Sequence, residues 1–216
     1  MPSLLDTPSR TETIVSGVAT LIARGGMAAV TMRSIATETG VPVSSLTHHL
    51  GGRDHLLQVS CHEFGLRMVK RIDARSRRDS VCAFVPSTPD ELQDIRVWLA
   101  FCDLGRSHEG VAHAAERVRG KEAWLLVNLL EPNVDDSQLF SILALVDGLR
   151  AAVTARVEPM PLTAACQTLA AFCERVVPCC RSPVVMSPRC LLALIERSIN
   201  GKATQPFLFE RSINRR

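Results

Sequence analysis

The chain has 216 residues, of which 46% are hydrophobic and only 4% aromatic, and its formal net charge is +3. That apolar content is ample for a core in one large or two modest domains. No apolar run approaches the ~20 residues that cross a bilayer. The opening MPSLLDTPSR lacks the basic start and apolar stretch of a secretory signal. We therefore expect a cytoplasmic protein without a membrane segment.

Composition and charge distribution favour a helical protein with a basic amino-terminal part. Few aromatic residues, no Tyr and many Ala, Leu and Val are typical of an all-α fold. Residues 1–80 hold ten Lys/Arg and seven Asp/Glu, whereas residues 81–216 hold fifteen of each. The surplus positive charge thus lies where a polyanion would be attracted, although three charges can also gather there by chance.

The first predicted helix begins at Ser9, where Glu12 three residues later completes a capping box. Gly25-Gly26 ends this helix. Its apolar side chains recur at helical spacing and predict a buried stripe: Ile14, Val18, Leu21 and Ile22.

Residues 31–50 predict two short helices joined by a tight turn. Thr31 can cap the first helix, Gly40 suits a left-handed end, and Pro42 suits the first turn of the next helix. In the second helix, Val43–Leu50, the expected inward residues are Val43, Leu46 and Leu50. The outward residues are small and polar: Ser44, Ser45, Thr47 and His48. A helix-turn-helix places such a surface in the DNA major groove.

Arg53-Asp54 opens a long fourth helix that joins this three-helix head to a larger body. Its apolar positions are Leu57, Cys61, Phe64, Met68 and Ile72. A basic run at residues 75–78 marks its far end, and Pro86 and Pro89 indicate a linker.

The body is predicted to contain helices from about Asp90, over 109–130 with a break near Gly120, and over 136–157 and 161–177. The last two are apolar over most of their circumference, which favours burial against a second copy over a monomeric core. The expected dimer residues are Leu139, Ile142, Val146, Leu149, Val153, Leu162, Cys166, Leu169, Cys173 and Val176. Residues 179–216 form an atypical tail rich in Pro and Cys at its start.

Cysteines and isolated polar residues predict no metal, cofactor or catalytic site. Cys61, Cys102, Cys166 and Cys173 fall within apolar helical patterns, so we expect reduced core thiols. Cys179, Cys180 and Cys190 match no zinc-ligand spacing. Asp147 and His113 stand alone in apolar stretches, and no nucleophile motif accompanies them, so the chain is not expected to be an enzyme.

The amino-terminal part resembles the TetR family of bacterial transcriptional repressors, from about Arg10 to Leu57. The resemblance is carried by an opening helix that ends in Gly-Gly and by the segments TMRSIATETGV, SSLTHHL and GRDHLL. It implies phosphate contacts by Thr31, His49 and Arg53, and base and phosphate contacts by the outward face of the third helix. The full implied DNA-binding set is Arg10, Thr31, Arg33, Ser44, Ser45, Thr47, His48, His49 and Arg53.

Two positions depart from the family pattern. The family usually has an aromatic residue where this chain has Thr47, and Phe where it has Leu50. Thr47 is too short to reach a phosphate as an aromatic hydroxyl would, so the contact pattern should differ.

The body is more faintly similar to the choline-responsive, BetI-type branch, through VWLAFCDLGRSHEG and ALVDGLRAAV. By this resemblance we expect a small-molecule pocket with aromatic faces, although ordinary core packing explains each residue equally well. The candidate pocket residues are Phe84, Trp98, Phe101, Cys102, Trp124, Asn128 and Asp147.

Together these features predict an all-α protein with a DNA-binding head at residues 1–53 and a ligand-binding and dimerisation body at 54–216. The expected function is a dimeric repressor released from a palindromic operator on double-stranded DNA by an unknown small molecule. The alternatives are an activator or regulator without a small ligand, a protein-interaction module, and a Cys-based redox sensor.

Overall fold

Eight α-helices and no β-strand make up residues 7–130 and 134–177, which the computed structural model describes, with backbone alone for residues 7–9. The helices are α1 Thr7–Gly25, α2 Met32–Thr39, α3 Val43–Leu50, α4 Arg53–Asp79, α5 Pro89–Leu104, α6 Glu109–Leu130, α7 Asp136–Thr154 and α8 Leu162–Val176. Short 3-10 segments, Met27–Ala29 and Ser80–Phe84, precede α2 and α5. The all-α prediction is confirmed. The predicted tail with Cys179, Cys180 and Cys190 lies outside the described residues.

Local sequence signals set most helix boundaries in the head. Thr31 caps α2, because its hydroxyl accepts a hydrogen bond from the Ser34 N–H at 3.0 Å. Gly26 and Gly40 adopt positive φ angles of 67° and 70° at the ends of α1 and α2, a conformation that favours glycine. Two expectations differ: α1 begins at Thr7 rather than Ser9, and α6 continues through Gly120 without a break.

The head has its own apolar centre, built from one stripe of each helix. Ile14 and Val18 of α1, Ile35 of α2 and Leu46 of α3 are fully buried. Gly17 lies where α1 and α2 cross, and a Cβ there would collide with the Thr39 methyl group. The three helices therefore form one packed unit.

Helix α4 joins this unit to the body and packs mainly against α6, while α1 also contacts α4 and α5. Gly65 allows the close approach of α4 and α6, because a Cβ there would lie 2.6 Å from Val118 Cγ2 and 2.9 Å from Trp98 Cζ3. The head is thus supported by the body through two helices.

A buried ion pair joins α6 to α7. The Arg150 side chain is 1% exposed and donates from Nη2 to Glu122 Oε1 at 2.7 Å, and from Nε to the Phe84 carbonyl at 2.9 Å. Arg150 Nη1 is buried and has no hydrogen-bond partner among the described residues. Periodicity alone did not identify this pair, since its members are separated by six helical turns and a loop.

A disulfide joins Cys82 in the second 3-10 segment to Cys166 in α8, with Cα atoms 5.0 Å apart. This corrects the expectation that Cys166 is a reduced core thiol. Apolar spacing correctly placed Cys166 on the inner side of α8, but could not indicate that another cysteine faces it. Cys61 and Cys102 are not part of a disulfide among the described residues.

The predicted apolar seam of α7 and α8 lies inside the chain. Ile142, Val146, Leu149, Val153, Leu169 and Cys173 are buried within the single chain, and Leu139, Leu162, Cys166 and Val176 are half-buried. These side chains pack α7 on α8 and on the rest of the body, so the six buried ones do not face a second copy. The seam was correctly predicted as buried, and the partner that covers it is the chain's own fold.

The opposite side of α7 is apolar and uncovered. Helix α7 is the one helix in residues 7–130 and 134–177 that is long and apolar enough to span a membrane by length and composition, with a mean hydropathy of 1.2. Only 28% of it is buried, and Phe140 is 53% exposed. A core helix passes the same test, so this is weak evidence for a membrane segment.

Candidate nucleic-acid interface

The outer face of α3 presents short polar side chains to solvent. Ser44, Thr47 and His48 are exposed and Ser45 is half-buried, while Leu46 and Leu50 anchor the helix to the core. Val43 was expected to face inward, but it is 40% exposed. It lies on the same side of α3 as Leu50 in the first turn, at the edge of the core. The exposed surface of α3 therefore consists of three polar side chains on its outer face and of Val43 at the rim of that face.

The amino terminus of α2 is held in place by a small hydrogen-bond cluster. The Thr31 N–H donates to Ser34 Oγ at 2.8 Å, and Ser34 Oγ donates to the Ala29 carbonyl at 2.6 Å. The Arg53 side chain reaches the same place, since its Nε donates to the Val30 carbonyl at 3.3 Å. Because the cap satisfies Thr31 and Ser34, the N–H groups of Met32 and Arg33 are the first-turn donors without an intrahelical partner. This arrangement suits an anion.

The remaining candidate residues lie around these two helices. His49 is half-buried, and its Nε2 lies 3.3 Å from Thr11 Oγ1 of α1, so it also ties α3 to α1. Arg10 precedes Thr11 on α1, and Arg33 is exposed on α2. The Thr47 hydroxyl donates to the Val43 carbonyl at 3.0 Å. The Thr47 hydroxyl proton is thus used in a hydrogen bond within α3.

The local charge is slightly positive. Residues 24–54 contain three arginines, Arg24, Arg33 and Arg53, and two acidic residues, Glu38 and Asp54. Arg24 binds Glu38 at 2.9 Å, whereas the exposed Asp54 lies 3.5 Å from the Nε2 atom of His108, the residue that precedes α6. The segment thus has a formal charge of +1, and Arg53 lies beside the start of α2.

In the body, three candidate ligand residues are core residues in this conformation. Phe84, Trp98 and Phe101 are at most 1% exposed. A cavity of about 20 Å³, room for one water molecule, is lined by Phe84 and Arg150 between α4, α5 and α7. The sequence-based pocket prediction included Phe84 but not Arg150.

The other candidates are half-buried and mostly hydrogen-bonded. Asp147 Oδ2 accepts hydrogen bonds from Arg119 at 2.7 and 2.5 Å, and burial raises the pKa of Asp147 although Arg119 opposes the shift. Asn128 donates to the Trp124 carbonyl at 2.7 Å. Burial raises the pKa of the Cys102 thiol to about 11. The structure brings Phe84, Trp98 and Phe101 into one core and leaves the other four at its margin.

Comparison with known proteins finds similarity to bacterial transcriptional regulators. The family described as "Bacterial regulatory proteins, tetR family" matches residues 14–59, which span most of α1, all of α2 and α3, and the start of α4. The HTH-type transcriptional regulator PksA of Bacillus subtilis (strain 168) is 27% identical over 179 residues, covering 74% of this chain and 85% of PksA.

Solved structures share the fold at lower identity. A putative TetR-family transcriptional regulator from Rhodococcus sp. superposes with a TM-score of 0.67 at 16% identity, covering 78% of this chain and 98% of that one. A putative transcriptional regulator from Saccharomonospora viridis, solved in complex with choline, has a TM-score of 0.66 at 18% identity, covering 78% and 97%. These structures therefore share with this chain the arrangement of both head and body, and the similarity is not confined to the head.

Proposed function

We propose that the chain is a TetR-family regulator, a homodimeric, cytoplasmic repressor that a small-molecule effector releases from a palindromic operator. Two findings support the family: its model matches residues 14–59, and a transcriptional regulator is 27% identical over 179 residues. In this proposal residues 1–53 form the DNA-binding head and residues 54–216 the ligand-binding and dimerisation body. The observation that carries it is the polar outer face of α3 beside the anion-suited start of α2.

Two kinds of DNA contact follow from this geometry. The Met32 and Arg33 N–H groups, Arg53 and Arg10 would bind phosphates, which fixes register and affinity. Ser44, Ser45 and His48 would meet base edges in the major groove, which gives sequence preference. Thr31, Thr47 and His49 have internal hydrogen bonds, so we assign them the positioning of α2 and α3. Thr31 and His49 would in addition contact nearby phosphates.

A second copy would cover the outward faces of α7 and α8. On α7 this face consists of Phe140, Ser141, Ala144, Gly148 and Ala151, which recur at helical spacing and are exposed. Small side chains let two helices approach closely, and Phe140 supplies an apolar anchor. This pairing would hold two heads about 34–36 Å apart, one turn of DNA.

The effector would act by preferring a body conformation whose heads no longer match that spacing. The core around Phe84, Trp98 and Phe101 is the proposed site, and opening it would displace packed helices. The contact of His108 with Asp54 links the start of α6 to the first turn of α4, beside Arg53. A related fold that holds choline supports a small-molecule effector.

Removing one phosphate contact should weaken binding to every sequence. Arg53→Ala is expected to lower affinity for a fragment of the chain's own promoter and to reduce the slope of log K against log salt by about 1. Arg156→Ala removes the same charge from an exposed position near the end of α7 and serves as control. Fluorescence anisotropy over a salt series measures both variants.

Ser45→Ala and His48→Ala should instead change which operator variants bind best, by about 1–3 kcal/mol at the affected base pair. If Arg53→Ala, Ser45→Ala and His48→Ala all bind as the wild type does, the α3 surface is not the DNA-binding face. A salt-independent affinity would favour a protein-interaction module instead. A thermal-shift screen without any ligand response would favour a regulator that has no effector.

A further inference from the structure

The Cys82–Cys166 disulfide connects two parts of the molecule that the proposed function uses. Cys82 lies in the 3-10 segment that directly follows α4, and this segment packs against α4. Cys166 lies in α8, half of the proposed dimer face. The bond therefore runs from the end of the head-bearing helix to a helix that would meet the second copy.

Helix α8 has few other attachments to the described chain. It packs mainly against α7 and the 3-10 segment Ser80–Phe84, and its carboxyl end is held by a 2.8 Å hydrogen bond from Gln138 to the Val176 carbonyl. The disulfide is the covalent attachment among these contacts. Breaking it leaves one side of α8 held by apolar packing alone.

The bonded cysteines are partly accessible to small molecules. Cys82 and Cys166 are half-buried, as is Cys102, whereas Cys61 and Cys173 are buried. Burial raises the pKa of Cys61 to about 12 and of Cys102 to about 11, so these thiols stay protonated and react slowly. A disulfide oxidant therefore reacts slowly with Cys61 and Cys102, and a dithiol reductant acts on the half-buried Cys82–Cys166 bond.

We propose that Cys82–Cys166 is a reversible thiol redox site that clamps α8, and with it one half of the dimer face, onto the end of α4. In the forward reaction a thiolate of a dithiol reductant attacks one sulfur and the other cysteine leaves as a thiolate. The second thiol of the reductant then displaces the first cysteine. The products are two cysteine thiols, which take up the two protons of the dithiol, and the oxidised reductant. A disulfide oxidant reverses both exchanges.

The clamp is tested on the full chain with dithiothreitol and its oxidised form as the redox pair. Peptide mapping under non-reducing conditions follows the Cys82–Cys166 bond, and hydrogen exchange follows residues 162–176. We expect the bond to open in the native protein and exchange in α8 to rise about tenfold or more, reversibly. Cys82→Ser/Cys166→Ser should show the faster exchange in both buffers. Cys61→Ala should keep the response, since Cys61 is not part of the bond.

Two results would overturn the proposal: a bond that opens only after unfolding, or a bond that opens while exchange in α8 stays unchanged. The dimer face and its link to DNA rest on the proposed function, so operator binding is measured in parallel. We expect operator affinity to differ at least fivefold between the oxidised and the reduced wild type, and we expect this difference to be lost in the double serine variant. Failure to bind promoter DNA in both states would count against the proposed function, while the exchange data still decide the clamp.

Discussion

The exposure of Val43 changes which side chains of α3 can contact DNA. Its side chain is 40% exposed in the first turn of α3, next to the exposed Ser44. The first residues of a recognition helix contact base edges, and an aliphatic group there can pack on a thymine methyl. The proposed DNA-binding surface therefore includes the apolar side chain of Val43, which the sequence analysis had assigned to the core.

Replacing this side chain should change sequence preference more than stability. Val43→Ser is expected to lose about 1 kcal/mol of discrimination for thymine at one operator position, with little change in the thermal midpoint. Val157→Ser, at an exposed valine in the body, is the matched control. Competition binding to operator variants measures the effect, and equal loss on all variants would place Val43 outside base readout.

His62 makes a prediction about pH. Burial lowers the pKa of His62, Arg117 and Lys121 lower it further, and Glu63 opposes them. Its Nδ1 is also buried without a hydrogen-bond partner among the described residues. The His62 imidazole of the unfolded chain therefore takes up a proton near pH 6.5, whereas that of the folded chain does so only at lower pH. The free energy of unfolding accordingly falls as pH drops below about 6.5.

His62→Gln should reduce this acid sensitivity, whereas His113→Gln, at an exposed position of α6, should leave it unchanged. Urea midpoints at pH 7.5 and pH 5.5 compare the three proteins. A pH dependence that survives in His62→Gln would assign the effect to other groups.

At the scale of elements, α6 and α7 are held by charge inside an apolar body. Arg150 and Glu122 have side chains 1% and 2% exposed, so neither charge is solvated by bulk water. Removing one partner leaves the other as a buried, unpaired charge, which costs more than the pair contributes. Arg150 also binds the Phe84 carbonyl and so fixes the segment after α4.

Arg150→Ala is therefore expected to lower the free energy of unfolding by about 3–5 kcal/mol. Arg150→Met combined with Glu122→Leu replaces both charges with apolar groups and should recover most of that loss. Urea denaturation gives the three values. A double variant as unstable as the single one would show that the unpaired charge of Glu122 is not the cause, and would assign the loss to the missing hydrogen bond to the Phe84 carbonyl.

The elements themselves were predicted well because their signals are local. Thr31, Gly40 and the Gly25-Gly26 pair each act on neighbouring backbone, so the end of α1 and both ends of α2 follow from a few adjacent residues. Partners distant in sequence were not predicted: Cys82 pairs with Cys166 across 84 residues. Helical spacing likewise showed that Val146 and Leu149 are buried, but not that the same chain covers them. The DNA contacts stay predictions, since side-chain exposure permits them without demonstrating them.

At the scale of the whole molecule, the uncovered side of α7 is the main apolar surface that the described fold leaves open. Most of this helix is unburied, although its composition is that of a core helix. A second copy of the chain would bury it and would also give the two heads a fixed separation. Dimerisation and DNA affinity should therefore fail together.

Ala144→Arg places a long charged side chain in the centre of this face. We expect a monomer in sedimentation velocity at micromolar concentration, and at least a tenfold loss of operator affinity, since two linked heads bind far more tightly than one. Ala74→Arg makes the same change at an exposed alanine of α4 and should remain dimeric. A dimeric Ala144→Arg protein would mean that another surface joins the two copies.

The 27 residues of α4 form a rod about 40 Å long, anchored in the body at one end and carrying Arg53 at the other. A tilt of about 5° around the anchored end moves the tip by about 3.5 Å, close to the ~3.4 Å step between successive base pairs. A small tilt of α4 at the packed side chains near Phe84 would thus displace Arg53 by about one base-pair step along the double helix.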